Sequence, residues 1–441
     1  MNICVVGLGH IGIVTATFLV KIGHNVIGYD ENSRKVSFLN QGIPTIQEPG
    51  IKQLMTKHKD SLNFTNDIDL ALKNIDLVIV ACDLKTQDNG LIDLEQIYKY
   101  ISLIKSKAKH SLHILIKARV PVGTTARIEA VLNKNSSIKF DVSYQSEILF
   151  EGTALQNIDN QPRLIIGINS INAHTKLVEL YEYYYNKGTF IYFTNPQVAE
   201  VVNHSVTNYL AVNTSFINEL CMACEEIGLD GLDVVRALNS QIKGIEFLPT
   251  FGYEQKELPN ANSLNNWLNS DSKILSSVAT AVEINSRIPR HLVSIILKKY
   301  NFNLQNIKIG FLGLCSNKNL TEMGNSQAIP LIKMLIGEGA KIIAYDPKVE
   351  ANFKNLIDHQ PKIKYVADVR TLLKQVDCVI VLNDSEEFIN LGSDDFIKYM
   401  KTPVIFDVSN ILDDKKMQNV DYIRLIGKNS QYLNQEINYK V

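Results

Sequence analysis

The opening of the chain, Met1 to Asp30, constrains the fold more than any other stretch. An apolar, β-branched run, Ile3–Val6, leads into Gly7, Gly9 and Gly12 at G-x-G-x-x-G spacing. A segment with helical periodicity follows, and then a second apolar run. This order of strand, glycine turn, helix and strand is typical of a dinucleotide-binding βαβ unit.

Each glycine of this turn has its own physical reason. Gly7 permits a tight turn, Gly9 lets the backbone approach a pyrophosphate, and Gly12 lets the helix pack close to the strand. Asp30 ends the second strand 18 residues after Gly12, where a carboxylate can accept hydrogen bonds from the adenosine ribose. Because its charge would repel a 2′-phosphate, the sequence predicts NAD rather than NADP as the cofactor.

The charges of the 441-residue chain are balanced, with 45 Lys and Arg against 46 Asp and Glu. We therefore expect no nucleic-acid partner, and no apolar run is long enough to predict membrane insertion. The six cysteines lie in apolar strand or helix contexts, as in reduced, cytoplasmic proteins. Cys221 and Cys224 form a C-x-x-C without a second pair, so we expect core packing and no metal site.

Strand and helix patterns alternate along both ends of the chain and predict an α/β fold. We expect two Rossmann-like, doubly wound parallel-sheet domains joined by a central helical domain. The expected boundaries are 1–195, 196–300 and 301–441. The central domain opens with a long apolar-periodic helix from Pro196, whose length suits a dimerisation helix, so we expect a homodimer.

Several further stretches resemble motifs of the UDP-glucose/GDP-mannose dehydrogenases. They are Gln47–Ile51 (similar to Y-E-P-G-L), Val120–Thr125 (V-P-V-G-T), Glu147 with Glu151 and Gly152 (N-P-E-F-L-R-E-G), Phe216–Glu219 (F-x-N-E) and Ala344–Pro347 (A-Y-D-P). The resemblance covers nearly the whole chain. It implies an NAD-binding domain, a helical dimerisation domain and a C-terminal nucleotide-sugar domain. It also implies a UDP- or GDP-hexose substrate in polysaccharide or glycan precursor synthesis.

The resemblance fails at the positions that carry the family's chemistry, which oxidises an alcohol to a carboxylate with two NAD through a cysteine thioester. Glu257 stands at the cysteine position, and no cysteine occurs between Cys224 and Cys315. The family's lysine and asparagine at the start of the long helix fall on Asn203 and Thr207. Because the thioester route needs a thiolate, the sequence predicts that four-electron oxidation is closed.

Three functions fit this pattern. The first is a nucleotide-sugar oxidoreductase with altered two-electron chemistry, which needs only NAD, a positioned alcohol and a base. The second is a catalytically inactive homologue, a pseudoenzyme that binds NAD or a nucleotide sugar as a regulatory or partner subunit. The third is a hydroxyacid-type dehydrogenase of the wider Rossmann group, which Asn203 disfavours because such enzymes tend to use a lysine or histidine there.

Four residues are candidates for a rebuilt site. Glu147 is the expected base or water-positioning residue, Glu257 and His204 are further catalytic candidates, and Arg119 is a candidate cofactor contact in place of the family's threonine. Each also has a structural interpretation. Glu147 suits a surface carboxylate, Glu257 a solvated loop residue, His204 a core histidine, and Arg119 an ion-pair partner of a helix carboxylate.

Overall fold

The computed structural model divides the chain into two compact units, Met1–Thr207 and the described part of the chain from Asn208 onward. The structure describes residues 1–85, 87, 92–145, 149, 152–242, 276–315, 326–348 and 363–425. Each unit contains its own sheet. The finer division at 195/196 and 300/301 stays a prediction.

The first unit is built on an eight-stranded sheet with the order β3-β2-β1-β4-β5-β6-β7-β8. Its strands are β1 (Asn2–Val6), β2 (Asn25–Tyr29), β3 (Leu62–Thr65), β4 (Leu77–Val80), β5 (Leu112–Ile116), β6 (Phe140–Gln145), β7 (Arg163–Gly167) and β8 (Phe190–Thr194). Its helices are α1 (His10–Lys21), α2 (Ser33–Asn40), α3 (Ile51–Lys57), α4 (Ile68–Ala71), α5 (Glu95–Lys107), α6 (Thr124–Asn133), α7 (Ala154–Asp159), α8 (Ile171–Leu180) and α9 (Glu182–Asn186).

The first six strands follow the order 3-2-1-4-5-6, which is typical of the doubly wound sheet that the patterns predict. One pair differs from a fully parallel sheet: β6 and β7 are antiparallel, with Tyr144 opposite Gly167. An antiparallel neighbour needs no crossover to the other end of the sheet. Strand β8 then pairs parallel to β7.

Helix α10 (Pro196–Glu226) is the long helix predicted from apolar periodicity, and α11 (Gly231–Gln241) follows it. The boundary between the two units lies within α10, after Thr207. The second unit has a parallel six-stranded sheet with the order β11-β10-β9-β12-β13-β14. Its strands are β9 (Lys308–Leu312), β10 (Lys341–Tyr345), β11 (Ile363–Tyr365), β12 (Cys378–Val381), β13 (Val404–Asp407) and β14 (Asp421–Arg424). Its other helices are α12 (Ser276–Lys299), α13 (Ala328–Gly337), α14 (Val369–Leu373), α15 (Glu386–Ile389), α16 (Ser393–Tyr399) and a short 3₁₀ helix, Asp414–Lys416.

Strand β1 shows why the central strands are apolar along their whole length. Ile3 and Val5 pack into the core on one face of the sheet, and Cys4 and Val6 into the core on the other. All four side chains are fully buried, because side chains alternate between the two faces and helices cover both. The predicted α/β fold class is therefore confirmed.

The cysteines belong to these cores. All six are free and buried, and Cys221 packs among apolar residues of the second unit. Within the described parts of the chain, no helix combines the length and the apolar character that crossing a bilayer needs.

Candidate functional site

The glycine turn between β1 and α1 has the geometry that its spacing predicts. Gly7 has a φ of +92°, a backbone conformation that favours glycine. A Cβ on Gly12 would lie 1.8 Å from the Gly7 carbonyl oxygen, so only glycine allows this approach of helix to strand. Gly9 is the N-cap of α1 and has no side chain to cap it. The amides at the start of α1 therefore face the carboxyl edge of the sheet.

Asp30 lies at the end of β2 and is only 4% exposed. Its Oδ2 accepts hydrogen bonds from the Leu8 amide at 3.0 Å and from Lys35 Nζ at 2.8 Å, and its Oδ1 accepts one from the Asn32 amide at 3.0 Å. These bonds fix the carboxylate beside the glycine turn, where the ribose of a dinucleotide would lie. The described residues therefore supply a glycine turn suited to the pyrophosphate of NAD and a carboxylate suited to its ribose.

A second carboxylate, Asp83, lies at the same turn. Its Oδ2 accepts a hydrogen bond from the His10 amide at 2.5 Å, and its Oδ1 accepts one from the Ile11 amide at 3.2 Å. The sequence reasoning missed this residue. A signal was available, because Asp83 follows β4, the strand that pairs with β1, and the carboxyl ends of neighbouring parallel strands meet at one edge.

The V-P-V-G-T stretch, Val120–Thr125, is held by the first turns of α10. Glu200 is fully buried, and its carboxylate accepts hydrogen bonds from the Gly123 amide at 2.5 Å and from the Thr125 amide and hydroxyl at 2.8 and 2.6 Å. Burial raises the pKa of Glu200, and these hydrogen bonds oppose the rise. Glu200 thus caps the N-terminus of α6 from outside the helix.

His204 lies one turn further along α10 and is 2% exposed. Its Nε2 is 2.8 Å from the Val120 carbonyl oxygen, so Nε2 carries the proton and donates it. Burial lowers the pKa of His204, which favours the neutral ring. In this geometry His204 positions the Val120–Thr125 stretch. Its catalytic role stays a prediction.

Asn203, which the sequence comparison with the family's motif sets against its lysine, is 1% exposed and donates a hydrogen bond from Nδ2 to the Tyr144 hydroxyl at 2.6 Å. Its Oδ1 meets no hydrogen-bond partner among the described residues. Burial raises the pKa of Tyr144, and the charge of Arg119 acts in the opposite direction. Arg119 is half-buried and lies close enough to influence both Tyr144 and His204 electrostatically. Its role as a cofactor contact stays a prediction.

Lys117 is a buried cation at the end of β5 that the sequence reasoning did not single out. It is 5% exposed, and burial lowers its pKa to about 7. Lys117 and Gln145 line a small cavity together with Tyr181, whose hydroxyl donates a hydrogen bond to Gln145 Oε1. A lysine directly after the apolar strand β5 was the available signal.

Glu48, in the stretch similar to Y-E-P-G-L, joins distant parts of the first unit. Its Oε2 accepts a hydrogen bond from the Gly152 amide at 2.7 Å and lies 3.3 Å from His10 Nε2. The predicted catalytic residues Glu147 and Glu257 lie outside the described residues.

Cys82 follows β4 and is a buried thiol. Burial raises the pKa of Cys82 to about 12, so this cysteine is a protonated thiol near neutral pH. The described residues also hold no group of three or more His, Cys, Asp or Glu side chains arranged to bind a metal ion. The strand order, the glycine turn and Asp30 together define a Rossmann-type dinucleotide-binding protein.

Comparison with known proteins makes this class more specific. Three domain profiles of the UDP-glucose/GDP-mannose dehydrogenase family match the chain: the NAD binding domain at residues 1–185, the central domain at 197–288 and the UDP binding domain at 310–414. UDP-glucose 6-dehydrogenase of Rickettsia typhi is 28% identical over 430 residues, which cover 96% of this chain and 98% of the relative. UDP-glucose 6-dehydrogenase TuaD of Bacillus subtilis is 28% identical over 430 residues, which cover 96% and 92%.

A solved structure shows the same fold. The UDP-glucose dehydrogenase of Pyrobaculum islandicum superimposes with a TM-score of 0.85 at 23% identity, covering 97% of this chain and 98% of the other. The chain belongs to the UDP-glucose/GDP-mannose dehydrogenase family. It is an oxidoreductase of this dehydrogenase class, and NAD is its cofactor.

Proposed function

We propose that the protein oxidises a nucleotide sugar, a UDP- or GDP-hexose, in the synthesis of polysaccharide or glycan precursors, and that each reaction transfers two electrons. The observation that carries the proposal is a retained cofactor turn in a chain that has Asn203 on α10 where the family resemblance implies a lysine. The UDP binding domain profile at 310–414 and the relatives named UDP-glucose 6-dehydrogenase support a nucleotide-sugar substrate.

The chemistry that these residues allow is a single alcohol-to-carbonyl step. NAD held at the glycine turn and Asp30 would supply the acceptor for the hydride of the alcohol carbon, and a base of the protein would take the hydroxyl proton. The buried Asn203 amide can hydrogen-bond a substrate oxygen, but it cannot offset a developing negative charge as a lysine does. With no cysteine between Cys224 and Cys315, the carbonyl product has no thiol in this stretch to form a thiohemiacetal, the adduct that a second hydride transfer to NAD would convert to a thioester.

The roles proposed for the candidate residues follow from their surroundings. Glu147 is the proposed base, and Glu257 is a second candidate; both rest on the sequence. His204 is proposed to act through position, because its Nε2–H is already donated to the Val120 carbonyl. Arg119 is proposed as a phosphate contact, since it follows β5 at the carboxyl edge of the sheet.

We further propose that the protein is a cytoplasmic homodimer joined through α10. Val206, Tyr209, Leu210 and Phe216 share one face of this helix at about 100° per residue, and they are 37%, 54%, 46% and 56% exposed. An exposed apolar face on one long helix is typical of a surface that a partner covers. The reduced, buried cysteines support the cytoplasmic location.

The direct test is turnover with a panel of UDP- and GDP-sugars in the presence of NAD. We expect absorbance of NADH to appear with one or a few of these sugars. Asp30→Ala is expected to lose NAD binding, because the variant lacks the carboxylate beside the turn. Asp346→Ala is the matched control, since Asp346 holds the Leu314 amide at 2.9 Å at the equivalent place in the other sheet. This control is expected to retain NAD binding.

The alternative, a pseudoenzyme that serves as a regulatory or partner subunit, predicts a different outcome. In that case the wild-type protein binds NAD, Asp30→Ala does not, and none of the sugars yields NADH. That result would contradict the proposed reaction while leaving the cofactor assignment intact.

A further inference from the structure

The N-terminus of α1 already holds an anion, the carboxylate of Asp83. Each of its two oxygens accepts a hydrogen bond from an α1 backbone amide, His10 at 2.5 Å and Ile11 at 3.2 Å. Its Oδ2 lies against Gly9 so closely that a Cβ on this glycine would be 1.9 Å away. The carboxylate therefore fills the space that the absent Gly9 side chain leaves open.

This space is the part of the turn on which a dinucleotide pyrophosphate depends. In the Rossmann turn the second glycine lets the backbone approach the pyrophosphate, and the first amides of the helix bind the phosphate oxygens. Helix α1 has no acidic residue in its first turn and no side-chain cap. Asp83 supplies the negative charge that this helix terminus would otherwise take from a ligand.

We propose that Asp83 is an internal competitor of the NAD pyrophosphate. The carboxylate and the pyrophosphate are both anions that need the same amides, so they cannot occupy the turn together. Asp83 is an exposed side chain, and it can turn toward water when the cofactor binds. Cofactor binding then carries the cost of releasing the Asp83 carboxylate from the amides of His10 and Ile11.

The proposal is tested by calorimetric titration of NAD and of NADH into the full-length protein without substrate. Asp83→Asn removes the charge and keeps the shape, and Asp83→Ala removes the side chain. Both are expected to bind the cofactor about twofold to fivefold more tightly than the wild type, the size expected from an exposed charge at a helix terminus. The control is Asp76→Asn, which removes the same charge from the other end of β4, where Asp76 contacts the Asn2 amide. It is expected to bind as the wild type does.

Thermal melting supplies a second readout. Since the carboxylate stabilises α1 in the free protein, Asp83→Ala is expected to lower the melting temperature without cofactor and to increase the rise that NAD produces. If Asp83 had a merely structural role, its replacement would lower the melting temperature without cofactor but would not increase the rise that NAD produces. The proposal would be overturned if both Asp83 variants bound the cofactor no more tightly than the wild type. It would also be overturned if neither the variants nor the wild type bound the cofactor. Because no sugar is present, the result is independent of the proposed reaction.

Discussion

At the residue scale, the burial of Lys117 makes the stability of the first unit depend on pH. Burial lowers the pKa of Lys117 from 10.5 to about 7. The unfolded chain therefore binds a proton that the folded chain resists, which lowers stability at neutral pH and below. As the pH rises from about 7 towards 10.5, the unfolded chain also loses this proton and the penalty disappears.

Lys117→Met is therefore expected to stabilise the protein at pH 7 by on the order of 3 kcal/mol, because a methionine has a similar volume and no charge to bury. The gain should shrink steadily towards pH 10. Urea denaturation at several pH values measures it, with Lys73→Met, at an exposed lysine, as the control. A destabilised Lys117→Met protein at pH 7 would show that the contacts of this lysine outweigh its burial.

At the element scale, α10 holds a turn of the first unit with its first residues and exposes apolar side chains further along. Its first turns present Glu200 and His204 to the V-P-V-G-T stretch, and a later face exposes Tyr209, Leu210 and Phe216. Apolar periodicity was enough to predict this helix, because a 31-residue amphipathic segment is a strong signal. It could not reveal the contacts of Glu200, which join residues more than 70 positions apart.

The exposed face yields a prediction about assembly. Phe216→Asp places a charge in the proposed dimer interface and is expected to convert a dimer to a monomer, as measured by light scattering after size-exclusion chromatography. Ile171→Asp, at an apolar residue that is 76% exposed on α8, is the matched control and should leave the dimer intact. A wild-type monomer, or a Phe216→Asp dimer, would contradict this interface.

At the scale of the whole molecule, the two sheets share the same hydrogen bond between an aspartate and a backbone amide. An aspartate at the end of the second strand holds the amide that follows the first strand: Asp30 holds Leu8 at 3.0 Å, and Asp346 holds Leu314 at 2.9 Å. Gly7 and Gly313 have φ values of +92° and +91°. Only the first unit continues into the glycine triplet, and the sequence accordingly predicts a dinucleotide there and none in the second unit.

Features encoded by local sequence patterns could be predicted. Contacts between residues that the strand order makes neighbours could not. Continuous apolar strands, the glycine turn and the acid of β2 are encoded within thirty residues, so the NAD-binding fold could be predicted. The antiparallel β6–β7 pair and the contact of Asp83 with α1 depend on which elements become neighbours. A hydrophobic periodicity does not show which elements become neighbours. Lys117 likewise lines its cavity because of how β5 packs, and its neighbours in sequence do not show this.

We propose a hydride-transfer enzyme of this family that has kept its cofactor turn and lacks the thiol of the thioester route. The most direct measurement is the number of NADH formed per molecule of nucleotide sugar, with NAD in excess and the limiting sugar fully converted. We expect at most one NADH per sugar and a product lighter by two hydrogens. Two NADH per sugar with a carboxylate product would contradict it.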